Sequence, residues 1–151
     1  MENITKKPDR LNVSSKAKDL ADRLDELGYF GLGKTTISRS EMFLFAMALG
    51  VETGIETQIT NLYSGGLILD SSIDNITRSI MHALFLDSFL DPENELDNIT
   101  DKGRVYKMAE HYANTGFEII ADYVEKKKDS DLVFDLILEL DDQYAKLLVD
   151  I

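Results

Sequence analysis

The stretch Gly28-Tyr29-Phe30-Gly31-Leu32-Gly33-Lys34-Thr35 matches G-x-x-x-x-G-K-[ST] in full. In a phosphate-binding loop of that pattern, backbone amides cradle the phosphates. The lysine neutralises them and the threonine hydroxyl holds Mg²⁺. A nucleotide site of this kind would rest on Gly28, Gly33, Lys34 and Thr35. Gly66-Leu67-Ile68-Leu69-Asp70 would then pass for the acidic strand end of the partner motif. The chemistry needs a buried strand ahead of the loop and a helix after it. Ahead of Gly28 the spacing instead predicts an amphipathic helix, with Asp22, Asp25 and Glu26 on its polar face. Only 27 residues precede the loop, and no βαβ pattern follows it. The expectation is a helix stop at Gly28, an exposed connector, and no nucleotide or other cofactor.

Other chemistry is sparse. His82 and His111 are the only histidines, and neither has a ligand partner at helical spacing. Glu110 is adjacent to His111, so the two side chains diverge. No metal site is expected. Asp91, Glu93, Glu95 and Asp97 have calcium-loop spacing, but Leu96 and Lys102 stand where the loop needs glycine and an acid. Asn3, Asn12, Asn75 and Asn98 head N-x-[ST] triplets, which stay inert without secretion. Tyr112, Tyr123 and Tyr144 read as core-edge residues. No nucleophile–base arrangement follows from any spacing. The chain therefore reads as a non-enzyme, with no catalytic residue assigned.

Composition bounds the rest. The 151 residues suit one domain, and a 44% hydrophobic content can bury a core. The absence of cysteine excludes a disulfide framework, a thiolate zinc site and a cysteine nucleophile. No apolar run reaches the roughly 18 residues that a membrane span needs. Met1 to Arg10 has no apolar core for a signal peptide, so a cytoplasmic protein with no membrane contact is expected. The net charge of -12 disfavours wholesale binding of a polyanion. Residues 1–40 hold eight basic and six acidic side chains, whereas 41–151 hold eight basic and 22 acidic. Any nucleic-acid contact should come from the N-terminal part. The remainder is a solvated acidic face or a surface for a basic partner.

The elements that would position these residues are mostly helical. Residues 1–9 are polar and read as a flexible N-terminus; 10–151 read as a single helical domain. Arg10 to Val13 alternates as a short strand. Ser14 or Ser15 can cap a helix carrying Ala17, Leu20, Ala21, Leu24 and Leu27. Ser38 to Glu41 fits a capping box. The apolar run Met42–Leu49 then predicts a central helix buried on all sides, stopped by Gly50. Residues 59–63 and 67–69 flank Ser64-Gly65-Gly66 and suit a small hairpin. A helix over 73–90 would turn Ile76, Ile80, Leu84 and Met81 inward and stop before Asp91-Pro92, with an acidic loop at 91–101. Val105, Met108, Ala109, Tyr112, Gly116, Ile119, Ile120 and Tyr123 share one face. Val133, Leu136, Ile137, Leu140, Tyr144, Leu147, Leu148 and Ile151 repeat those offsets. Together they predict a C-terminal antiparallel helical hairpin.

Two resemblances add to this reading. The alternating Arg10–Val13, the following helix, a turn and a helix opening Ser38-Arg39-Ser40-Glu41 together resemble the ribbon–helix–helix proteins. That resemblance implies a strand paired with its twin across a dimer. Arg10 and Asn12 would then face a DNA groove, with Ser38 and Ser40 at a phosphate. The loop 28–37 is longer than that family's turn. Phe43-Leu44-Phe45-Ala46-Met47-Ala48-Leu49-Gly50 and His111-Tyr112-Ala113-Asn114-Thr115-Gly116-Phe117-Glu118-Ile119-Ile120 resemble two landmarks of another group. These are small accessory proteins encoded beside bacterial and archaeal DNA phosphorothioation (sulfur-modification) and restriction operons. Here Thr115 stands where that motif has glycine. The resemblance covers roughly 38–140. It implies a DNA-modification or phage-defence setting with no catalytic residue.

The functional expectation is a helical accessory protein acting by association with a protein partner, with homodimerisation compatible. The alternatives are a DNA-binding regulator using Arg10, Asn12, Ser38 and Ser40, and a nucleotide-binding protein using the 28–35 loop.

Overall fold

Residues 8–27, 38–87 and 101–126 are described by a computed structural model, together with positions 141–142, 145–146 and 148–149. The chain is mostly α. Its elements in order are β1 (Arg10–Leu11), α1 (Ser15–Leu27), α2 (Arg39–Thr53), β2 (Ile68–Leu69), a 3-10 turn (Asp70–Ser72), α3 (Asn75–Asp87) and α4 (Lys102–Lys126).

The N-terminal segment is held along its length by a later loop of the same chain. β1 and β2 are antiparallel, with Arg10 opposite Leu69 and Leu11 opposite Ile68. Pairing continues on both sides. The Asp70 amide donates to the Asp9 carbonyl at 2.8 Å, Leu67 N–H to the Leu11 carbonyl at 2.9 Å, and Tyr63 N–H to the Val13 carbonyl at 2.9 Å. Ser15 N–H donates to the Asn61 carbonyl at 2.7 Å. The expected hairpin between 59–63 and 67–69 does not form. Both arms pair with 9–15 instead, which satisfies two sets of backbone groups and buries Leu11, Val13 and Ile68 on the helices. Gly66, at φ 67, closes the turn between the arms, its N–H donating to the Tyr63 carbonyl at 3.2 Å.

Local capping starts the helices. The Ser14 hydroxyl accepts from Ala17 N–H at 3.0 Å and opens α1, whose Ala17, Leu20, Ala21 and Leu24 are buried. Ser38 and Glu41 form the reciprocal capping box of α2. The Asp74 carboxylate accepts from Thr77 N–H at 2.6 Å at the start of α3.

Two expectations about α2 are corrected. The helix does not stop at Gly50: it runs to Thr53, and Gly54 takes the left-handed cap at φ 69. Nor is it buried on all sides. Met42, Phe43, Ala46, Met47 and Gly50 are buried, but Leu44, Phe45 and Leu49 are half-covered and Ala48 is exposed. The unbroken apolar run hid a one-sided helix because Ala48 costs little in water and the larger side chains fold over the rim.

The buried side of α2 lies on α4, the most extensive helix pair in the described fold. Glycine sets the approach from both sides. A β-carbon on Gly50 would collide with the Tyr112 carbonyl oxygen and sit 2.7 Å from its carbonyl carbon. One on Gly116 would collide with the Ala46 carbonyl oxygen and sit 2.7 Å from the Ala46 Cα. Backbone therefore touches backbone at the crossing, and Gly50 is a packing residue. Around it α4 buries Val105, Tyr106, Ala109, Ala113, Phe117, Ile120 and Val124. This face is rotated from the expected one: Met108, Tyr112 and Tyr123 are only partly buried.

α3 is rotated further. Thr77, Met81 and Phe85 are buried, whereas Ile76 and Ile80, expected inward, are 73% and 41% exposed. Arg78 dictates this choice, because it must reach Asp70 and Tyr106 below the helix. The segment predicted as the second arm of a C-terminal hairpin lies outside the described residues. Only 141–142, 145–146 and 148–149 are given helical backbone, with Leu148 exposed. Residues 1–7 and 88–100, including Asp91, Glu93, Glu95 and Asp97, also lie outside. Asp9, assigned to the flexible end, is already paired.

Gly50→Ala and Gly116→Ala are each expected to cost about 3 kcal/mol or more, because a backbone contact cannot relax around a new methyl group. Gly54→Ala meets no neighbour within 4 Å and is expected to cost only about 1–2 kcal/mol of backbone strain. Urea denaturation midpoints distinguish the two classes.

Candidate functional site

The nucleotide motif is flanked by helices on both sides. Gly28, Gly33, Lys34 and Thr35 themselves lie outside the described residues, but α1 runs to Leu27 immediately ahead and α2 begins at Arg39. The strand that a phosphate loop departs from is not there. Asp70, the apparent partner acid, does follow a short strand, but its carboxylate is spent elsewhere.

The DNA-reading candidates are engaged within the chain. The Arg10 guanidinium donates to both Asp9 carboxylate oxygens, at 2.9 and 3.0 Å, and to the carbonyls of Ser64 and Gly65. Asn12 turns toward α4, where its backbone N–H and Nδ2 both donate to Glu110 Oε1, at 2.9 and 3.1 Å. The Ser38 hydroxyl accepts from Glu41 N–H, and the Glu41 carboxylate accepts from Ser38 N–H at 2.8 Å. A carboxylate thus occupies the helix start where a phosphate would sit. Ser40 is buried. Arg39 pairs with Asp22 at 2.6 Å. β1 pairs with Ile68–Leu69 of its own chain rather than with a twin.

The strongest charged cluster joins three elements. Asp70 accepts from Lys102 Nζ at 2.6 Å, from Arg78 Nη1 at 2.9 Å and from the Tyr106 hydroxyl. Arg78 also donates to the Tyr106 oxygen and to the Asp70 carbonyl, each at 2.8 Å. Lys102, Tyr106 and Arg78 hold the Asp70 carboxyl far below its ordinary value. Burial, with Asp70 beside it, pushes the Tyr106 hydroxyl upward. Lys102, Arg78 and Tyr106 each donate to a partner inside the fold, so the cluster fastens the 3-10 turn and α3 to α4.

Glu110 differs. Burial pushes its carboxyl up to about 7, while the two Asn12 N–H groups and Lys107 pull it down. Burial lowers the neighbouring His111, against Glu56. Further along α4, a buried polar pair clasps the loop after α2. Asn114 Nδ2 donates to the carbonyls of Thr57 and Gln58, at 3.2 and 3.3 Å. The Thr115 hydroxyl meets the Ile55 carbonyl at 2.8 Å and the Thr57 hydroxyl at 2.7 Å. Among the described residues no group of three or more His, Asp or Glu could hold a metal ion.

Sequence reasoning missed these polar fasteners. An Asn-Thr pair inside an apolar helix face was the visible signal for the clasp. Nothing local marked Glu110, because its partner lies 98 residues away.

What the described surface does present is apolar. Ile76, Ile80 and Ala83 face outward on α3, at i, i+4 and i+7. Ile55, Leu62 and Leu69 are each more than half exposed. No described helix is long and apolar enough to cross a membrane. Comparison with family models, curated proteins and solved structures finds no match.

Glu110 yields a pH prediction. An unfolded glutamate titrates near 4.5 and the folded one near 7, so between those values the folded protein binds a proton that the unfolded chain has lost. Stability therefore falls as pH rises through that window. Glu110→Gln keeps an acceptor for Asn12 and removes the buried charge. The variant is expected to be more stable than wild type by about 1–3 kcal/mol at pH ~8, with the difference gone below pH ~5. Thermal melts across that range measure it.

Proposed function

We propose that this chain works by association, as a non-catalytic helical accessory protein that docks on another protein. Its setting would be the DNA-modification or phage-defence system implied by the resemblance of residues 43–50 and 111–120. The observation that carries the reading is the outer face of α3, where Ile76 is 73% and Ile80 41% exposed. A single exposed aliphatic is ordinary, but an aliphatic stripe at helical spacing is a binding feature. The helix already buries a second apolar stripe in Thr77, Met81 and Phe85, so the outer one serves no role in the described core.

The DNA-regulator alternative draws on Arg10, Asn12, Ser38 and Ser40. The polar groups of Arg10, Asn12 and Ser38 are occupied by Asp9, Glu110 and Glu41, and Ser40 is buried, so association is the better-supported reading. Nothing favours the nucleotide alternative over it.

Co-expression with the products of the genes beside its own, followed by affinity co-purification, tests the proposal. Wild type is expected to retain a stoichiometric partner. Ile76→Asp combined with Ile80→Asp is expected to lose it while melting within a few degrees of wild type, because Ile76 is largely in water and Ile80 partly so. Retention unaffected by the double substitution would place docking elsewhere. Absence of any co-purifying product would overturn the reading.

A further inference from the structure

The geometry points to a basic amphipathic helix of another protein as the occupant of the outer face of α3. This rests on the association reading above and names the partner's chemistry.

The shape of the face limits what can cover it. At ~100° per residue, Ile76, Ile80, Ala83 and Asp87 fall within about 60° of one another. All four are exposed. They span roughly 16 Å at ~1.5 Å per residue, about three helical turns. Such a narrow straight stripe, with two β-branched side chains at its start, is complementary to a second helix laid along it with its own apolar residues at i, i+3 or i+4 spacing.

Charge then selects the kind of helix. Asp87 stands exposed at the C-terminal end of α3, on the stripe itself, while Asp74 caps the other end through Thr77 N–H on the opposite side of the helix. The only lysine or arginine of α3, Arg78, is turned away to Asp70, Tyr106 and the Ile73 carbonyl. No lysine or arginine of this helix is left to meet an acidic partner. Lys102 is likewise drawn to Asp70. The apolar stripe thus ends in a negative charge, on a chain of net charge -12. A partner helix with lysine or arginine flanking its apolar face gains at the Asp87 end and is steered toward the site from a distance. A second copy of this chain would set acid against acid. An anionic membrane surface meets the same objection.

Fluorescence anisotropy with the full chain tests this, using three labelled synthetic peptides of about 18 residues. One is an amphipathic Leu/Lys helix, one a scramble of the same composition, and one a Leu/Glu amphipathic helix. The Leu/Lys helix is expected to bind about tenfold or more tighter than either of the others at physiological salt. Ile76→Ser with Ile80→Ser is expected to lose that preference, with its circular dichroism melt unchanged. Asp87→Asn is expected to weaken binding about two- to threefold and to flatten its salt dependence. Equal binding of the scramble, or binding indifferent to Ile76→Ser with Ile80→Ser, would reduce the effect to bulk charge and overturn the proposal. Equal or better binding of the Leu/Glu helix would overturn the charge assignment. A dimer in sedimentation velocity that Ile76→Ser with Ile80→Ser dissolves would give the face to a second copy and overturn it as well. If a neighbouring gene product docks through α3 while the Leu/Lys helix does not bind, the partner's chemistry is wrong and the association reading stands. If neither binds, both fall.

Discussion

The backbone contact between α2 and α4 is the constraint on which the described fold depends. Gly50 lies against Tyr112, and Gly116 lies against Ala46. Each helix supplies a glycine where the other supplies a carbonyl, so neither can move outward without opening a void, nor inward without a clash. Large side chains then pack beside the crossing rather than in it: Phe43 and Met47 from α2, Phe117 and Ile120 from α4, all nearly inaccessible to solvent. With α2 seated this closely, the loop that follows it must run along α4. Asn114 and Thr115 are there to receive its carbonyl groups. That loop leads directly into residues 61–70, which hold the N-terminal strand. One close crossing thereby fixes the course of much of the chain.

The two stretches that carry the resemblance to the accessory proteins, 43–50 and 111–120, are the two sides of this crossing. Ala46 and Gly50 belong to one, Tyr112 and Gly116 to the other. In this chain the pattern of these stretches is one of helix packing, and packing alone transfers no chemistry. Thr115 has a local physical reason. Its hydroxyl bridges the Ile55 carbonyl and the Thr57 hydroxyl, a clasp that glycine could not make.

Local signals in the sequence were legible in proportion to how locally they act. Ser14 and the Ser38–Glu41 box open helices where spacing placed them, because a cap involves residues three apart. Helical periodicity found every described helix. It misplaced which face is inward on α3, because two apolar stripes compete there and a distant triad of Asp70, Tyr106 and Lys102 decides between them. Gly50 read as a helix stop because a glycine's role as a terminator or a contact depends on what lies opposite, and Tyr112 is far away in the chain. The strand at Arg10 was visible, but its partner was not: two residues of pairing carry almost no register information. The same distance effect hid Glu110, whose burial follows from Asn12 folding over it.

The way the fold spends its positive charge bears directly on function. Arg10 is held by Asp9, Arg39 and Lys18 by Asp22, Arg78 and Lys102 by Asp70, and Lys126 by Asp122. These cations are committed to carboxylates of the same chain. The acidic excess of -12 is consequently what the surface offers to a partner. A protein that bound a polyanion would be expected to keep its cations free and aligned. This one ties several of them down, including the arginine of the helix whose outer face is most apolar. Internal pairing of bases and external display of aliphatics on α3 are two results of one event, the turn of Arg78 inward to Asp70. The turn that fastens α3 to α4 is the same turn that carries Ile76 and Ile80 into solvent. A single half-buried ion cluster thus sets both the stability of this helix and the surface it leaves open.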